Sequence, residues 1–374
     1  MSATVRGPRR GSFGLLFLFF IVLLGAALLS MPVAFGQQHV STVSLDPGET
    51  LIVDGIEVLP VQGKVYMLVG GGANVAVQIG QEGVVVVDTG AAGQSRRIIA
   101  AIRRLTNKPI RTIINTSADP DHVAGNAAFV EAAGGPRGPG TATPLGPNAG
   151  AEMISTEGAY NKMLTGGPGR PEMLGDALPR STFFTPRKDI YSNGEGIALI
   201  FQPRAHTDGD LMAHFRASDV VVTGDVFNTT SYPVIDTAQR GTVNGVIAAL
   251  NTIIELTIPE RNQMGGTRVI PGHGRISNEA DVVDYRDMVT IIRDRIRDAV
   301  NKGMTLEQVK AAKFSLEYDG IYGATTGPWT TDMFTEAIFR EMTALRPPPP
   351  QRGATPQRGT TPRRGATPQR GATR

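Results

Sequence analysis

The sequence predicts a mixed α/β fold, a four-layer αββα sandwich with a functional site at one edge of its two sheets. Short valine- and isoleucine-rich runs alternate with stretches of helical periodicity in both halves of the chain. In each half, predicted strands lead directly into polar segments that contain histidine or aspartate. Because strand ends can bring such segments together, we expect their side chains to meet at one edge of the sandwich.

The first half predicts four strands and one helix. Val65–Val69, Asn74–Ile79 and Val84–Asp88 are β-rich runs separated by glycines. The third run is almost continuously apolar, which indicates a strand that is covered on both faces. Ser95–Leu105 carries a helical apolar stripe, and Arg111–Asn115 predicts a strand that runs into a polar segment.

The second half repeats this arrangement after a glycine- and proline-rich surface loop at 132–150. Three strands are predicted, and each leads to a histidine or aspartate: Ile197–Phe201, Val220–Val222 and Arg268–Ile270. Three helices are predicted as well: Val243–Leu256, Glu279–Asn301 and Thr331–Leu345.

The N-terminal region has the composition of an export signal. Three arginines precede an apolar run of 17 residues, 13–29, and small residues follow before Gln37. This order is typical of a secretory signal over residues 1–36, and an uncleaved membrane anchor is the alternative. We therefore predict an exported protein that is periplasmic or secreted, or that is attached to the membrane by its N-terminus.

Residues 347–374 form a proline-, arginine-, glycine- and threonine-rich tail, with a six-residue repeat that starts at Pro350. The repeat contains no large apolar side chain, so the tail is predicted to be disordered. Its six arginines are either solvated or in contact with an anionic surface. Between the two ends, we predict an N-terminal extension at 37–60 and one domain with C-terminal helices at 61–346.

Charge and cysteine content narrow the possible functions. Removing the nine arginines of the two ends from the formal net charge of +3 leaves −6 for residues 37–349. This balance argues against nucleic-acid binding by the folded domain. The chain has no cysteine, so a metal ion would need histidine, aspartate or glutamate ligands.

Four short segments carry most of the residues that favour metal binding. The chain has five histidines, and three of them lie in these segments. Each segment follows a predicted strand, and in chain order they are Asp119–His122, Ala205–Thr207, Thr223–Asp225 and Pro271–Gly274. Imidazole and carboxylate groups that converge on one cation are typical of a metal-dependent hydrolase.

These motifs, in this order, resemble the metallo-β-lactamase superfamily. Asn74–Gly90, with its VVVVDTG run, resembles the opening strands of that family, and Asn115–Gly125 resembles the strand and loop that carry its signature. The resemblance implies the metallo-β-lactamase type of αββα sandwich, with a metal site at the edge of the two sheets. Full members carry a His-x-His-x-Asp-His signature, whereas Ser117 and Asp119 occupy its first two histidine positions here.

The resemblance implies two unequal sets of metal ligands. One set consists of Asp121, His122 and His273, with Asp225 as a bridge or fourth ligand. The other set consists of His206, Asp225 and Asp119. Zn²⁺ prefers four ligands, with one position left to water in a catalyst, and the first set satisfies this preference. We predict one tightly bound zinc ion and a second ion that is weak, absent or of another type such as Mn²⁺ or Fe²⁺.

Several residues have a second interpretation. His206 either contacts metal or orients substrate, and Asp225 is either a ligand or the cap of a loop. Asp88 is expected to support a ligand histidine or its loop. Ser117 is expected to fill the space of a lost histidine, because no Gly-x-Ser-x-Gly elbow surrounds it, and His214 is expected to lie on a strand without binding metal.

The implied function is hydrolysis of a carboxylic-acid derivative, namely a β-lactam, a thioester, a lactone or another ester. A bound Zn²⁺ lowers the pKa of its water to around 7 and so supplies hydroxide, and Asp121 would be the catalytic residue that orients this water. A phosphodiesterase would need two ions and fits the altered signature poorly. The alternative class is a binding protein that kept the fold and lost the chemistry, and an iron-dependent oxygenase is a third.

The expected partner is a small-molecule substrate. The specificity of the protein for this substrate is predicted to depend on the loops at 132–150 and 161–185. Five aromatic side chains line the pocket or lie in the core: Tyr160, Phe183, Phe184, Tyr232 and Trp329.

Overall fold

A computed structural model of the chain describes residues 42–138 and 150–346. In this part of the chain the first sheet has nine strands: β1 (Leu51–Val53), β2 (Ile56–Gln62), β3 (Val65–Val69), β4 (Val75–Ile79), β5 (Val84–Val87), β6 (Ile110–Ile114), β7 (Pro136–Arg137), β8 (Ala151–Thr156) and β9 (Ser181–Phe183). Their order is β1-β2-β3-β4-β5-β6-β8-β7, and β9 pairs with β8. Strands β1 to β5 are antiparallel, whereas β5, β6 and β8 are parallel.

The second sheet has five strands within the described ranges: β10 (Arg187–Ser192), β11 (Glu195–Gln202), β12 (Asp210–Phe215), β13 (Val220–Val222) and β14 (Arg268–Ile270). They follow one another across the sheet in chain order. Only the pair β13 and β14 is parallel, and the long connection between these two strands contains a helix. This is the crossover that a parallel pair requires.

The described residues form nine α-helices: α1 (Ser95–Leu105), α2 (Pro120–Val123), α3 (Asn126–Ala132), α4 (Glu157–Thr165), α5 (Val243–Leu256), α6 (Glu279–Asn301), α7 (Leu306–Ala312), α8 (Asp319–Tyr322) and α9 (Thr331–Leu345). The longest, α6, begins at a reciprocal cap. The Asn278 side chain accepts a hydrogen bond from the Asp281 amide, and the Asp281 carboxylate accepts one from the Asn278 amide. No helix in the described ranges is both long and apolar enough to cross a bilayer.

Three apolar clusters show how the layers stack. One cluster joins the facing sides of the two sheets, for example Val85 and Val87 of β5 with Leu199 of β11. A second lies between the first sheet and helices α1 and α3, and it contains Val84 and Val86. The alternation along β5 buries all four valines, two on each face. A third cluster joins the second sheet to α5, α6 and α9. The predicted αββα sandwich is therefore confirmed.

Most predicted elements appear at their expected positions. Helices α1, α5, α6 and α9 have the predicted bounds, and the predicted strands correspond to β3, β4, β5, β6, β11, β13 and β14. Residues 51–60, assigned to an N-terminal extension, form β1 and most of β2 and join the first sheet. The predicted signal at 1–36 and the predicted tail at 347–374 lie outside the described residues. Both remain predictions.

Candidate metal centre

The candidate site lies at the edge of the sandwich where several parallel strands end. Strand β5 is followed by Asp88, β6 by the segment that leads to Asp119, β13 by Asp225, and β14 by His273. His206 comes from the loop between β11 and β12. The four polar segments recognised in the sequence therefore meet, as expected from the shared edge of the two sheets.

His122 is held in place by Asp88. Both side chains are buried, and the His122 Nδ1 lies 2.7 Å from Asp88 Oδ2. The Thr116 backbone amide and hydroxyl donate to the same carboxylate at 2.8 and 2.6 Å. Because the carboxylate only accepts, His122 donates from Nδ1 and presents Nε2 to the site. Asp88 therefore contacts and orients His122, as expected, and binding of a metal ion by His122 stays a prediction.

The first ligand group consists of Asp121, His122 and His273, which offer ligand atoms within 4.8 Å of one another. His273 Nε2 lies 3.1 Å from Asp121 Oδ2. Asn74 fixes the His273 loop, because its side-chain amide donates to the Pro271 and Gly274 carbonyls, at 3.0 Å each. Two imidazoles and one carboxylate are a ligand set that suits Zn²⁺.

The second ligand group consists of Asp119, His206 and Asp225, again within 4.8 Å of one another. His206 Nδ1 lies 3.5 Å from Asp119 Oδ2 and 3.6 Å from Asp210 Oδ1. Asp210 also accepts from the Thr207 amide and hydroxyl at 2.7 and 2.6 Å, so it orders the loop that carries His206. With two carboxylates and one imidazole, this group has harder ligands than the first.

Asp225 lies between the two groups. Its carboxylate is 3.2 Å from His122 Nε2 and 3.5 Å from His273 Nε2, and it is also a member of the second group. A side chain at Gly272 would overlap Asp225 Oδ1, so glycine is required for the β14 loop to pass beside this carboxylate. This central position favours the interpretation of Asp225 as a ligand over that of a loop cap.

Four polar atoms at this site are buried without a hydrogen-bond partner among the described residues: Asp119 Oδ2, His122 Nε2, His206 Nδ1 and Asp225 Oδ1. Buried polar atoms are normally satisfied, and each unsatisfied one is costly. All four belong to residues of the two ligand groups. The residues present therefore fit a bound cation, which would satisfy these atoms together.

The electrostatics of the centre lead to the same conclusion. Burial lowers the pKa of His206, but the nearby carboxylates of Asp210 and Asp119 outweigh burial and raise the pKa to about 10. Burial would raise the pKa of Asp225, yet the neighbouring His122, His206 and His273 lower it overall. Burial raises the pKa of Asp119. In the protein without metal, protons on the imidazoles thus compensate carboxylates that a cation would otherwise neutralise.

Ser117 and His214 both lie outside the two ligand groups found among the described residues. Ser117 is buried, and its Oγ accepts a hydrogen bond from the Asp119 amide at 3.1 Å, so it shapes the turn that carries Asp119. His214 lies on β12, outside both ligand groups. Asn74 and Asp210, which support His273 and His206, were not recognised as parts of the site in the sequence. The short spacing from Asp210 to His206 was the only available signal.

A cavity of about 720 Å³ opens onto the centre. Both ligand groups border it through Asp119, Asp121, His206, Asp225 and His273. Of the five aromatic candidates only Trp329 lines this cavity, whereas Tyr232 and Phe183 are buried in the core and Phe184 is 77% exposed. Tyr160 is partly buried on α4 and does not line it.

Comparison with known proteins identifies the family. The family model of the metallo-beta-lactamase superfamily matches residues 68–274. A linear primary-alkylsulfatase of Pseudomonas sp. is 46% identical over 50 residues, which are 13% of this chain and 10% of that protein. The solved stereoselective inverting sec-alkylsulfatase of Pseudomonas sp. aligns with a TM-score of 0.54 and 15% identity, over 78% of this chain and 52% of that one.

A metallo-beta-lactamase from Pontibacter korlensis aligns with a TM-score of 0.48 and 16% identity, over 63% of this chain and 99% of that one. The chain spans about half the length of the solved alkylsulfatase and a tenth of the primary alkylsulfatase. The family model covers more than half of the chain, from within β3 to the last ligand segment. The chain therefore belongs to the metallo-beta-lactamase superfamily.

Proposed function

We propose that this protein is an exported metal-dependent hydrolase that cleaves a carboxylic-acid derivative, namely a β-lactam, a thioester, a lactone or another ester. The observation that carries the proposal is the first ligand group, in which Asp121, His122 and His273 converge within 4.8 Å beside an open cavity. Membership in a superfamily of hydrolases supports the reaction class. Export is proposed from the composition of residues 1–36 alone.

In this proposal, Asp121, His122 and His273 hold one zinc ion. Zinc in such a site supplies a water of lowered pKa and polarises a carbonyl. Asp121 is the catalytic residue, because its partly exposed carboxylate borders the cavity and can orient the attacking water and accept its proton. Asp88 acts through His122, whose tautomer it sets.

The second group is proposed to bind its ion weakly, or to bind a metal other than zinc. Asp119, His206 and Asp225 offer only one imidazole, and Asp225 is shared with the first group. Carboxylate-rich sets suit Mn²⁺ or Fe²⁺ as well as zinc. We expect one tightly bound metal ion per chain. The arginine-rich tail at 347–374 is proposed to be solvated or to contact anionic surfaces.

The test combines metal analysis with a substrate panel. Purified protein is expected to hold about one equivalent of zinc, and it should hydrolyse at least one of nitrocefin, a thioester and a lactone faster than a phosphodiester. His273→Ala should lose both the metal and the hydrolysis. His214→Ala is the matched control, because His214 lies outside both ligand groups; it should retain both.

Bound metal without turnover of any compound in the panel would contradict the proposal. That result would favour a binding protein, the alternative supported by the serine and aspartate at the first two signature positions. Loss of turnover in Ser117→Ala with metal retained would instead reopen a role for Ser117 as a nucleophile.

A further inference from the structure

The cavity beside the metal centre has a wall that takes no part in holding metal. Segment 228–238 and the residues before α9 build this wall. Its side chains are neutral and polar, apolar, or acidic: Asn228, Thr230, Ser231, Val234, Ile235, Asp236, Thr237, Ala238, Pro328 and Trp329. Among the described residues that line the cavity, none is lysine or arginine.

Apart from its two histidines, the charged side chains that border the cavity are all acidic. Four carboxylates border it, those of Asp119, Asp121, Asp225 and Asp236. Three of these carboxylates belong to the ligand groups, where a metal ion or the imidazoles compensate them, whereas Asp236 belongs to neither group. A cavity with low-dielectric walls concentrates such a field, so an anionic group brought into it would be repelled and a cationic group attracted.

Trp329 and Asp236 line the cavity without belonging to either ligand group, and both can interact with a cationic group. Trp329 packs against the helical core cluster, which holds its ring at the cavity. An indole ring attracts an ammonium group through its face. One carboxylate oxygen of Asp236 accepts from the Gln239 amide at 2.9 Å, which orients the side chain.

We infer that the pocket selects acyl substrates that carry an ammonium or other cationic group, which lies against Trp329 and Asp236, and that it discriminates against anionic substrates. This inference rests on the proposed function, because it treats the bound compounds as substrates of a hydrolase. The selection by charge is a property of the pocket itself and can be measured by binding alone. It predicts that alkyl sulfates, the substrates named for the two similar sulfatases, are poor ligands here.

The chain offers a direct reporter, because Trp329 is its only tryptophan. Intrinsic tryptophan fluorescence of the metal-loaded protein is followed during titration with benzyltrimethylammonium, benzyl alcohol and benzoate. These probes share the aromatic ring and differ in charge. Saturable changes should give the order of affinity cation, neutral, anion. The difference between cation and anion should shrink at high salt, since screening weakens exposed charges.

The Asp236→Asn substitution tests whether the charge of Asp236 contributes to cation binding. Asparagine keeps the oxygen that accepts from the Gln239 amide, so the local turn is preserved. The affinity for benzyltrimethylammonium should fall roughly three- to fivefold, the size expected for one partly exposed charge, and the affinity for benzyl alcohol should not change. Asp298→Asn is the matched control: it removes the same charge from an exposed ion pair on α6 and should have no effect.

Several results would overturn the inference. These are equal or tighter binding of benzoate, no saturable response to the cation, or the same response in Asp236→Asn and Asp298→Asn. Its failure can be distinguished from that of the proposed function. Cation-selective binding without hydrolysis of any compound in the substrate panel would contradict only the proposed function. Hydrolysis with a preference for anionic substrates would contradict only this inference.

Discussion

The two halves of the metal centre use similar residues but are supported differently. In the first group, His122 is buried and its Nδ1 is bonded to Asp88 at 2.7 Å, which leaves Nε2 directed to the site. In the second group, His206 turns its Nδ1 towards Asp119 and Asp210 at 3.5 and 3.6 Å, beyond hydrogen-bond distance.

This difference shows that a ligand set is more than a list of residue types. The first group has two imidazoles, one of which has its tautomer and orientation set by a carboxylate behind it. The second has one imidazole, and both of its nearby carboxylates compete for the same nitrogen. We expect the first group to bind zinc much more tightly. Two experiments test this contrast, and a third compares the metal centre with a region away from it.

The largest effect is expected for Asp88→Asn. Asparagine tolerates the positive φ of 63° at this position, so the backbone is not strained. Loss of one charged acceptor behind His122 should weaken the tight zinc ion by about 10- to 100-fold. Competition with a chromophoric chelator measures this. Asp210→Asn is the matched change beside His206, and it should leave the tight ion unaffected. An equal loss in both variants would contradict the proposed asymmetry.

A smaller and opposite effect is expected for Asp119→His. This substitution restores a second imidazole to the group formed with His206 and Asp225. The affinity for a second zinc ion should rise about tenfold, since zinc favours imidazole nitrogen. Isothermal titration with zinc measures it. Asp176→His, at an exposed aspartate paired with Arg180, controls for adventitious binding by an added histidine. No gain over this control would mean that His206 is not oriented to bind metal.

The smallest effect is expected away from the metal, at Glu195. Burial would raise the pKa of this carboxyl, but hydrogen bonds from Ser218, Gln78 and the Ala217 amide outweigh burial and lower it. A lowered pKa adds stability above the ordinary glutamate pKa of about 4.3, and this stability is lost as the pH falls through the folded-state value.

Glu195→Gln should therefore cost about 1 kcal/mol of unfolding free energy at neutral pH, and less as the medium is acidified. Urea denaturation at several pH values measures it, and the metal content should stay unchanged. A cost that does not depend on pH would show that the charge of Glu195 is not what stabilises the fold. A change in metal content would show that the two regions are coupled.

Much of the fold could be predicted because its elements bury apolar residues with a clear period. Helices α1, α5, α6 and α9 carry long apolar stripes, and their predicted bounds match the structure. Strand β10 was not predicted, because its residues are mostly exposed and polar. Strands β1 and β2 were assigned to an extension, since a short chain segment gives no sign of which edge it will join.

The residue types of the site could also be anticipated. The order of the four segments along the chain, each behind a strand, identified all six proposed ligands, and the VVVVDTG run pointed to a supporting role for Asp88. The order of the segments did not predict that Asn74 supports the His273 loop or that Trp329 borders the cavity at the metal centre. Asn74 is 197 residues away from the Pro271 carbonyl that it binds, and no local pattern records such a contact.

Local patterning thus specified the layers, the long helices and the candidate ligands, because burial and hydrogen bonding impose short periods that are visible in the amino-acid order. The packing of the two sheets decided which nitrogen each histidine presents, that Asp225 lies between both groups, and that Asp236 and Trp329 line the same cavity. These features depend on distances between segments far apart in the chain, and only the folded arrangement of the layers sets those distances.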